Sequence, residues 1–298
     1  MRVLIVGCGY VGVPLGAELV RQGHEVYGLR RTRAADDSIA AAGMKPLIGD
    51  ITQPADLAKL PGPFDWVVNT VSSAHGGAQE YRAVYLQGTR NLLAWLLAAP
   101  PQRLVYTSST SVYGQDDGSL VDESSPTEPE SATSRVLLDT EGELLQAVRQ
   151  KNFPAVILRV AGIYGPERGY LLKQYLKDEL PLADQGSRIA NMIHREDVAG
   201  CILATLERGR PGELYNAVDD EPVAHLDFFR WLSGTLGRPL PSFSTGNEGP
   251  ARKRGLTNKK VTNRKLKEEL GYRFKYPTFR EGYATEIGRL RNAGLIKS

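Results

Sequence analysis

The sequence predicts an α/β fold, a parallel sheet with helices on both faces, from three observations. Short apolar runs alternate with longer helical patterns through the first half of the chain, the order that builds βαβ units. Those runs are apolar at successive positions, as strands covered on both faces must be. A glycine-rich turn, Gly7-Cys8-Gly9-Tyr10-Val11-Gly12, separates the first run from the first helical pattern. The 298 residues suit one large domain, or one domain with a smaller lobe.

Val3–Val6, Glu25–Leu29, Pro46–Ile48, Trp66–Asn69 and Leu104–Thr107 read as buried strands. Between them, Val11–Gln22, Ala55–Leu60 and Glu80–Leu97 carry helical spacing. A helix over Ser134–Gln150 leads into a sixth strand, Ala155–Val160. Beyond it the pattern loosens. Tyr170–Lys177, His194–Leu206, Leu226–Leu236, Arg264–Leu270 and Arg280–Asn292 read as helices, with short strands near Arg188–Met192 and Glu213–Ala217. With no internal repeat and no low-complexity linker, these later segments are expected to pack on the first domain as a substrate lobe.

Apolar residues make up 41% and charged residues 24%, ordinary globular usage. Charge is nearly balanced, 37 Lys+Arg against 34 Asp+Glu, which argues against a nucleic-acid binder. Cys8 and Cys201 give no disulfide framework and no cysteine zinc site, and the four histidines show no ligand spacing, so no metal is expected. Val3–Val6 is too short for a signal segment, and nothing approaches the roughly 18 apolar residues of a membrane span. The expectation is a soluble, cytoplasmic protein without a membrane or nucleic-acid partner.

The charge is unevenly placed. Gln115–Ser131 holds six acids with Pro126 and Pro129, and reads as a solvated loop. Arg252–Lys267 holds eight bases, which suit either a solvated helix face or a patch that neutralises a substrate diphosphate. Aromatics for stacking on bases come only beyond it, at Tyr272, Phe274 and Tyr276.

The glycine turn has the strand–turn–helix setting that dinucleotide binding needs. Gly7 permits the tight turn, Gly9 lets a pyrophosphate approach the backbone, and Gly12 allows close helix–strand packing. Unpaired N–H groups and the positive dipole of the helix start, at Tyr10 and Val11, complete the anion site. An NAD site places Asp or Glu at the end of the second strand, to accept from the ribose 2′-OH. This chain has Arg30, Arg31 and Arg33 there, and arginine binds a 2′-phosphate through charge-assisted bidentate hydrogen bonds. The expected cofactor is therefore NADP(H) rather than NAD(H), the alternative being that these arginines are surface residues.

Several segments together resemble the extended and atypical short-chain dehydrogenase/reductases, in the nucleotide-sugar epimerase/dehydratase-like branch. They are the glycine turn, Gly49-Asp50-Ile51, Thr107-Ser108-Ser109-Thr110-Ser111-Val112-Tyr113-Gly114, and Leu158–Pro166. Asn191–Ala199, Tyr215-Asn216-Ala217 and Leu266–Gly271 extend the match over most of the chain. The resemblance implies a doubly wound (Rossmann) parallel sheet of about seven strands with a small C-terminal substrate lobe. Residues 1–165 would form the dinucleotide-binding domain and 166–298 mostly the lobe, with segments near 188–220 returning to the core. It also implies that Asp50 and Ile51 lie by the adenine, that Ser109 holds the catalytic Ser/Thr position, and that the chain forms a homodimer.

Active members of that family carry Tyr-x-x-x-Lys on the helix after the serine, with both side chains on one helix face. Here the tyrosine position falls on Thr133 or Ser134 and the lysine position on Leu137 or Leu138. None of the 13 tyrosines has a lysine four residues later. The family's structural asparagine is replaced as well, by Tyr85. Substitute groups are Thr133, whose hydroxyl needs activation, Arg135, which does not deprotonate, and Tyr113 and Tyr164, each following a strand that ends at the cleft. Tyr164 is the candidate proton donor, with packing or substrate lining as its alternative. His194 reads as structural, and His75 is a candidate in a loop after the fourth strand.

Two functions follow. The first is an NADP(H)-dependent oxidoreductase or epimerase/dehydratase-like enzyme acting on a polar, nucleotide-linked sugar or related carbonyl or alcohol. In it Ser109 hydrogen-bonds the reacting oxygen. The second is a catalytically degenerate NADP(H)-binding sensor or scaffold.

Overall fold

The structure is a computed structural model and describes residues 1–33, 36–74, 76–177, 183–242 and 257–296. In chain order the strands are β1 (Arg2–Val6), β2 (Glu25–Arg30), β3 (Lys45–Ile48), β4 (Trp66–Asn69), β5 (Arg103–Ser109), β6 (Leu120–Val121) and β7 (Ala155–Val160). They continue as β8 (Gly162–Tyr164), β9 (Ile189–Ala190), β10 (Met192–His194), β11 (Leu214–Ala217), β12 (Val223–Ala224) and β13 (Lys260–Val261). The helices are α1 (Gly12–Arg21), α2 (Asp36–Ala41), α3 (Pro54–Leu57), α4 (Ala78–Tyr81), α5 (Gly88–Leu96) and α6 (Ala132–Lys151). After them come α7 (Tyr170–Lys177), α8 (Arg195–Arg208), α9 (His225–Leu236), α10 (Arg264–Leu270) and α11 (Phe279–Asn292). A π-helical stretch, Arg82–Gln87, joins α4 to α5.

Seven strands form one sheet in the order β11-β7-β5-β4-β1-β2-β3, parallel throughout. The chain starts at the sheet's centre, winds outward to β3, and crosses back to β4 on the other side of β1. That reversal leaves a crevice beyond the C-terminal ends of β1 and β4, the place where open α/β sheets bind ligands. The doubly wound sheet expected from the family resemblance is present.

Burial follows strand position. β1 and β7 are almost fully covered, whereas β3, at the sheet edge, is largely exposed. Pro46 lies in that strand, where its missing N–H costs least. The reading of Pro46–Ile48 as a buried strand is corrected accordingly, because an apolar run alone does not distinguish an edge strand from a central one.

The main core gathers the sheet, its flanking helices and returning segments, among them Val198, Ile202, Tyr215, Leu266 and Leu270. A second core, with Tyr164, Leu172, Phe228, Phe229, Phe279 and Tyr283, holds the lobe together. So α8, β11 and also α10 belong to the sheet domain, while α7, α9 and α11 build the lobe. Among the described residues no helix is long and apolar enough to cross a membrane.

The acidic loop is more structured than its composition predicts. Within it, β6 pairs in parallel with β13, and Val121 is buried. Glu123 accepts a hydrogen bond from Asn216 N at 2.7 Å, and burial raises its pKa. Loop composition gave no sign of this, since the partner strand lies far along the chain.

Candidate active site

The crevice is a groove in three connected parts. Its first part lies at the ends of β1 and β2, a cavity of about 480 Å³ lined by Gly7, Gly9, Arg30, Arg31, Asp50 and Ile51. The second, of about 550 Å³, shares Gly7, Gly9, Val71 and Ser72 with the first and extends to Tyr81, Tyr85, Ser108 and Leu137. The third shares Ala161, Gly162 and Ile163 with the second and opens between sheet and lobe, beside Ser109.

The glycine turn sits at the floor of the first two parts. Gly7 adopts φ +77°, and a Cβ there would lie 2.7 Å from Val71 Cα, so the turn is pressed against the end of β4. At Gly9 the nearest atoms to such a Cβ are 3.7 Å and 3.8 Å away, which leaves its backbone open to the groove. No side chain caps the N-terminus of α1, whose positive end therefore stays available to an anion. These features fit a dinucleotide pyrophosphate. Tyr10 turns toward the lobe: its hydroxyl donates to Pro166 O at 2.9 Å. The guanidiniums of Arg168 and Arg195 lie 5.1 Å and 5.0 Å from its ring centre.

Arg30 is half-buried and donates from Nη1 to Cys8 O at 3.2 Å, which ties it to the phosphate turn. Arg31 is exposed beside it. The Asp50 carboxylate accepts from Thr52 N at 2.8 Å, so it is engaged in its own turn at the cavity wall. Cys8 is buried, and desolvation raises its thiol pKa to about 11.

Ser109 ends β5 and lines the third part of the groove; its Oγ accepts from Ser111 N at 3.2 Å. Behind it lies a buried polar network. Ser108 Oγ donates to Glu141 at 2.6 Å, and Arg159 donates to Glu141 at 2.7 Å and to the Tyr113 hydroxyl at 2.9 Å. Tyr113 in turn donates to Asn216 Oδ1 at 2.9 Å. Tyr113 is thereby committed to the network, with its phenol pKa raised by burial.

The helix that should carry Tyr-x-x-x-Lys is α6. Ser134 is fully buried and donates to Ser111 Oγ at 3.0 Å, while Leu137 lines the groove. Thr133 is buried with its hydroxyl 3.3 Å from Ser131 Oγ, and it is absent from the lining of all three cavities. Tyr164 lines the third part, but its hydroxyl donates to Thr278 O at 3.4 Å and its ring stacks on Tyr283. Burial, reinforced by Asp219, pushes its pKa well above the usual phenol value, which makes it a poor acid. His194 caps α8, with Nδ1 accepting from Glu196 N, and is buried between Tyr164 and Tyr276. His75 and Arg252–Arg254 lie outside the described residues.

Two features were not recognised from the sequence as lining the groove. Tyr81 and Tyr85 face the second part from the π-helical stretch and its approach, with the Tyr85 hydroxyl accepting from Ser73 N at 3.3 Å. Lys259 reaches the third part as a buried side chain.

A model of the NAD dependent epimerase/dehydratase family matches residues 3–217. The chain belongs to that family, and is an NAD(P)-dependent enzyme of the extended short-chain type. Protein YeeZ of Escherichia coli (strain K12) is 29% identical over 286 residues, covering 93% of this chain and 96% of that protein. A 3-diazoavenalumate denitrifying reductase of Streptomyces sp. is 26% identical, covering 96% of this chain and 100% of that one. The dTDP-glucose 4,6-dehydratase DesIV of Streptomyces venezuelae, solved with NAD and TYD bound, superposes with a TM-score of 0.84 at 25% identity. That match covers 100% of this chain and 99% of that one.

Proposed function

We propose that the protein is an NADP(H)-dependent oxidoreductase acting on a polar carbonyl or alcohol, a nucleotide-linked sugar or a compound of that kind. One observation carries the reading: the groove runs unbroken from Arg30 and Arg31, past Gly7 and Gly9, to a cleft beside Ser109. When bound, the dinucleotide supplies or accepts a hydride. The open N-terminus of α1 holds the pyrophosphate, and Arg30 with Arg31 takes the 2′-phosphate. Ser109 hydrogen-bonds the reacting oxygen. Thr110, Ser111, Tyr170, Asn191 and Thr257 give the cleft the hydroxyl- and amide-rich lining that a polyhydroxylated substrate would use. The similar Streptomyces protein, alike over its whole length, is a reductase by name.

The test titrates NADPH and NADH separately, then follows NADPH absorbance with a panel of nucleotide sugars and simple carbonyls. Tighter binding of NADH overturns the cofactor preference. A second reading, a dinucleotide-binding sensor, is favoured by α6, whose dyad positions hold Thr133 with Leu137, or Ser134 with Leu138. Tight NADPH binding without consumption of any carbonyl would select it.

A further inference from the structure

The reaction proposed above needs a proton at the substrate oxygen, and α6 contributes no acidic group to the described lining of the cleft beside Ser109. The cleft beside Ser109 holds one cationic side chain among its described lining residues, Lys259. This lysine is 3% exposed, yet it forms part of the cavity wall with Ser109, Ser111 and Asn191. Its Nζ donates to Tyr113 O at 2.9 Å and to Thr257 Oγ1 at 2.6 Å. Both acceptors are uncharged, and an ammonium has three N–H donors, so one remains beyond these two bonds. The backbone is pinned as well: Asn191 Nδ2 donates to Lys259 O, and Asn191 Oδ1 accepts from Val261 N, each at 2.8 Å.

The described lining residues offer it no counter-charge. The other titratable groups lining the cleft are Tyr164, Tyr170, His225 and Tyr283, and no Asp, Glu or Arg is among the described lining residues. Burying an ammonium without a carboxylate is costly, and a lysine that served only to satisfy Tyr113 O would be an expensive choice. Desolvation lowers its pKa to about 8. An acid of that strength is well matched to proton transfer near neutral pH. Tyr164 and Tyr283 are shifted the other way by burial, to values that hold their protons.

We propose that Lys259 Nζ is the proton-transfer group of this enzyme, standing in for the tyrosine that α6 lacks. The inference rests on the oxidoreductase function proposed above. As hydride forms the new C–H bond at the carbonyl carbon, the C=O π pair moves to oxygen. That oxygen takes a proton from Lys259 Nζ, breaking one N–H bond and forming the alcohol O–H. The reduced dinucleotide is oxidised, the carbonyl is reduced, and the neutral amine regains its proton from water. Alcohol oxidation runs the same steps backward, with the neutral amine as base.

The test has an arm that needs no turnover. In the free protein carrying ¹³C-labelled lysine, one Cε resonance should titrate near pH 8 and be missing from Lys259→Met. A Lys259 resonance that stays unshifted past pH 10 overturns the inference. In turnover, Lys259→Met and Lys259→Arg should lose about 10²–10⁴-fold in kcat, with NADPH affinity and melting temperature close to wild type. Small primary amines should restore part of the rate to Lys259→Ala, in the order of their pKa values. Wild-type kcat should fall above about pH 8 for reduction and rise through the same range for oxidation. A Lys259→Met enzyme with unchanged kcat and a raised KM means the amine only holds substrate, and overturns the inference alone. A wild type that reduces no carbonyl overturns the function and the inference together.

Discussion

Arg159 and Glu141 form a buried ion pair, 2.7 Å from Nη2 to Oε2, whose two side chains are only 5% and 2% exposed. The pair is satisfied on all sides, by Ser108 and by Tyr113 through the bonds described above. Burial works against the Arg159 charge, and the Glu141 carboxylate more than offsets it, holding the guanidinium pKa above its ordinary value. Removing one partner leaves the other charge buried and unpaired, which costs about 3–5 kcal/mol. Arg159→Met or Glu141→Leu should lose that much in urea unfolding. The double variant should lose less than the two singles together. Additive losses would show that the pair is not coupled.

Gly7 and Gly9 should fail differently when replaced by alanine. At Gly7 the positive φ and the 2.7 Å approach to Val71 leave a Cβ no space, so Gly7→Ala should destabilise the fold by about 2 kcal/mol or more. At Gly9 the Cβ meets nothing closer than 3.7 Å and projects toward the groove. Gly9→Ala should fold with near wild-type stability and bind NADPH at least about tenfold more weakly, the weight of roughly 1.4 kcal/mol. Calorimetry and thermal melting on the same samples separate the two effects.

Arg30 is expected to set the cofactor preference, because its hydrogen bond to Cys8 O ties the guanidinium to the wall of the first cavity. Hydrogen bonds to a charged group contribute about 1.5–3 kcal/mol, roughly 10- to 150-fold in binding. Arg30→Ala should therefore weaken NADPH by a factor in that range and leave NADH within about threefold. Equal losses for both cofactors would assign Arg30 to the phosphate turn alone.

The parts of this molecule that were legible in the sequence are those built from local pattern. The glycine turn lies between a four-residue apolar run and a helix, and repetition of that strand–helix unit is what predicts a parallel sheet. What stayed hidden depends on contacts between distant segments. Lys259 sits in a run of bases that suits either a solvated helix face or a phosphate-neutralising patch; the pairing of β6 with β13 and the clasp of Asn191 hold it at the cleft wall. Glu123 is hidden in an acidic loop for the same reason. Thr133 and Ser134 differ by one residue of helix register, about 100° of rotation, which sequence spacing alone does not fix.

His194 should make the fold acid-sensitive. Burial lowers its pKa from 6.5 to about 4, so the folded state binds its proton later than the unfolded chain does. The sign follows directly. The stabilisation is fully present above pH 6.5 and is lost as pH falls from 6.5 toward 4, by on the order of 3 kcal/mol. His194→Asn keeps an acceptor at the N-terminus of α8 but cannot titrate. Its unfolding free energy should be flatter than wild type across that window. An identical pH slope in both proteins would place the acid sensitivity elsewhere.

Ser109 and Tyr164 face the same cleft and should respond oppositely to removal of a hydroxyl. The Tyr164 hydroxyl is spent on Thr278 O at 3.4 Å, and its pKa is raised by burial, so it has little to offer as an acid. Tyr164→Phe should keep kcat within about threefold and cost less than about 1 kcal/mol of stability. Ser109 stands at the C-terminal end of β5, where the groove passes from the cofactor side to the lobe side. In the proposed reaction its hydroxyl hydrogen-bonds the oxygen that gains charge in the transition state. Loss of one such donor typically costs about 10²–10³-fold in kcat. Ser109→Ala should show that loss with KM and NADPH affinity little changed. A large kcat defect in Tyr164→Phe, with Ser109→Ala near wild type, would reverse the two roles and place the reacting oxygen on the lobe side of the cleft.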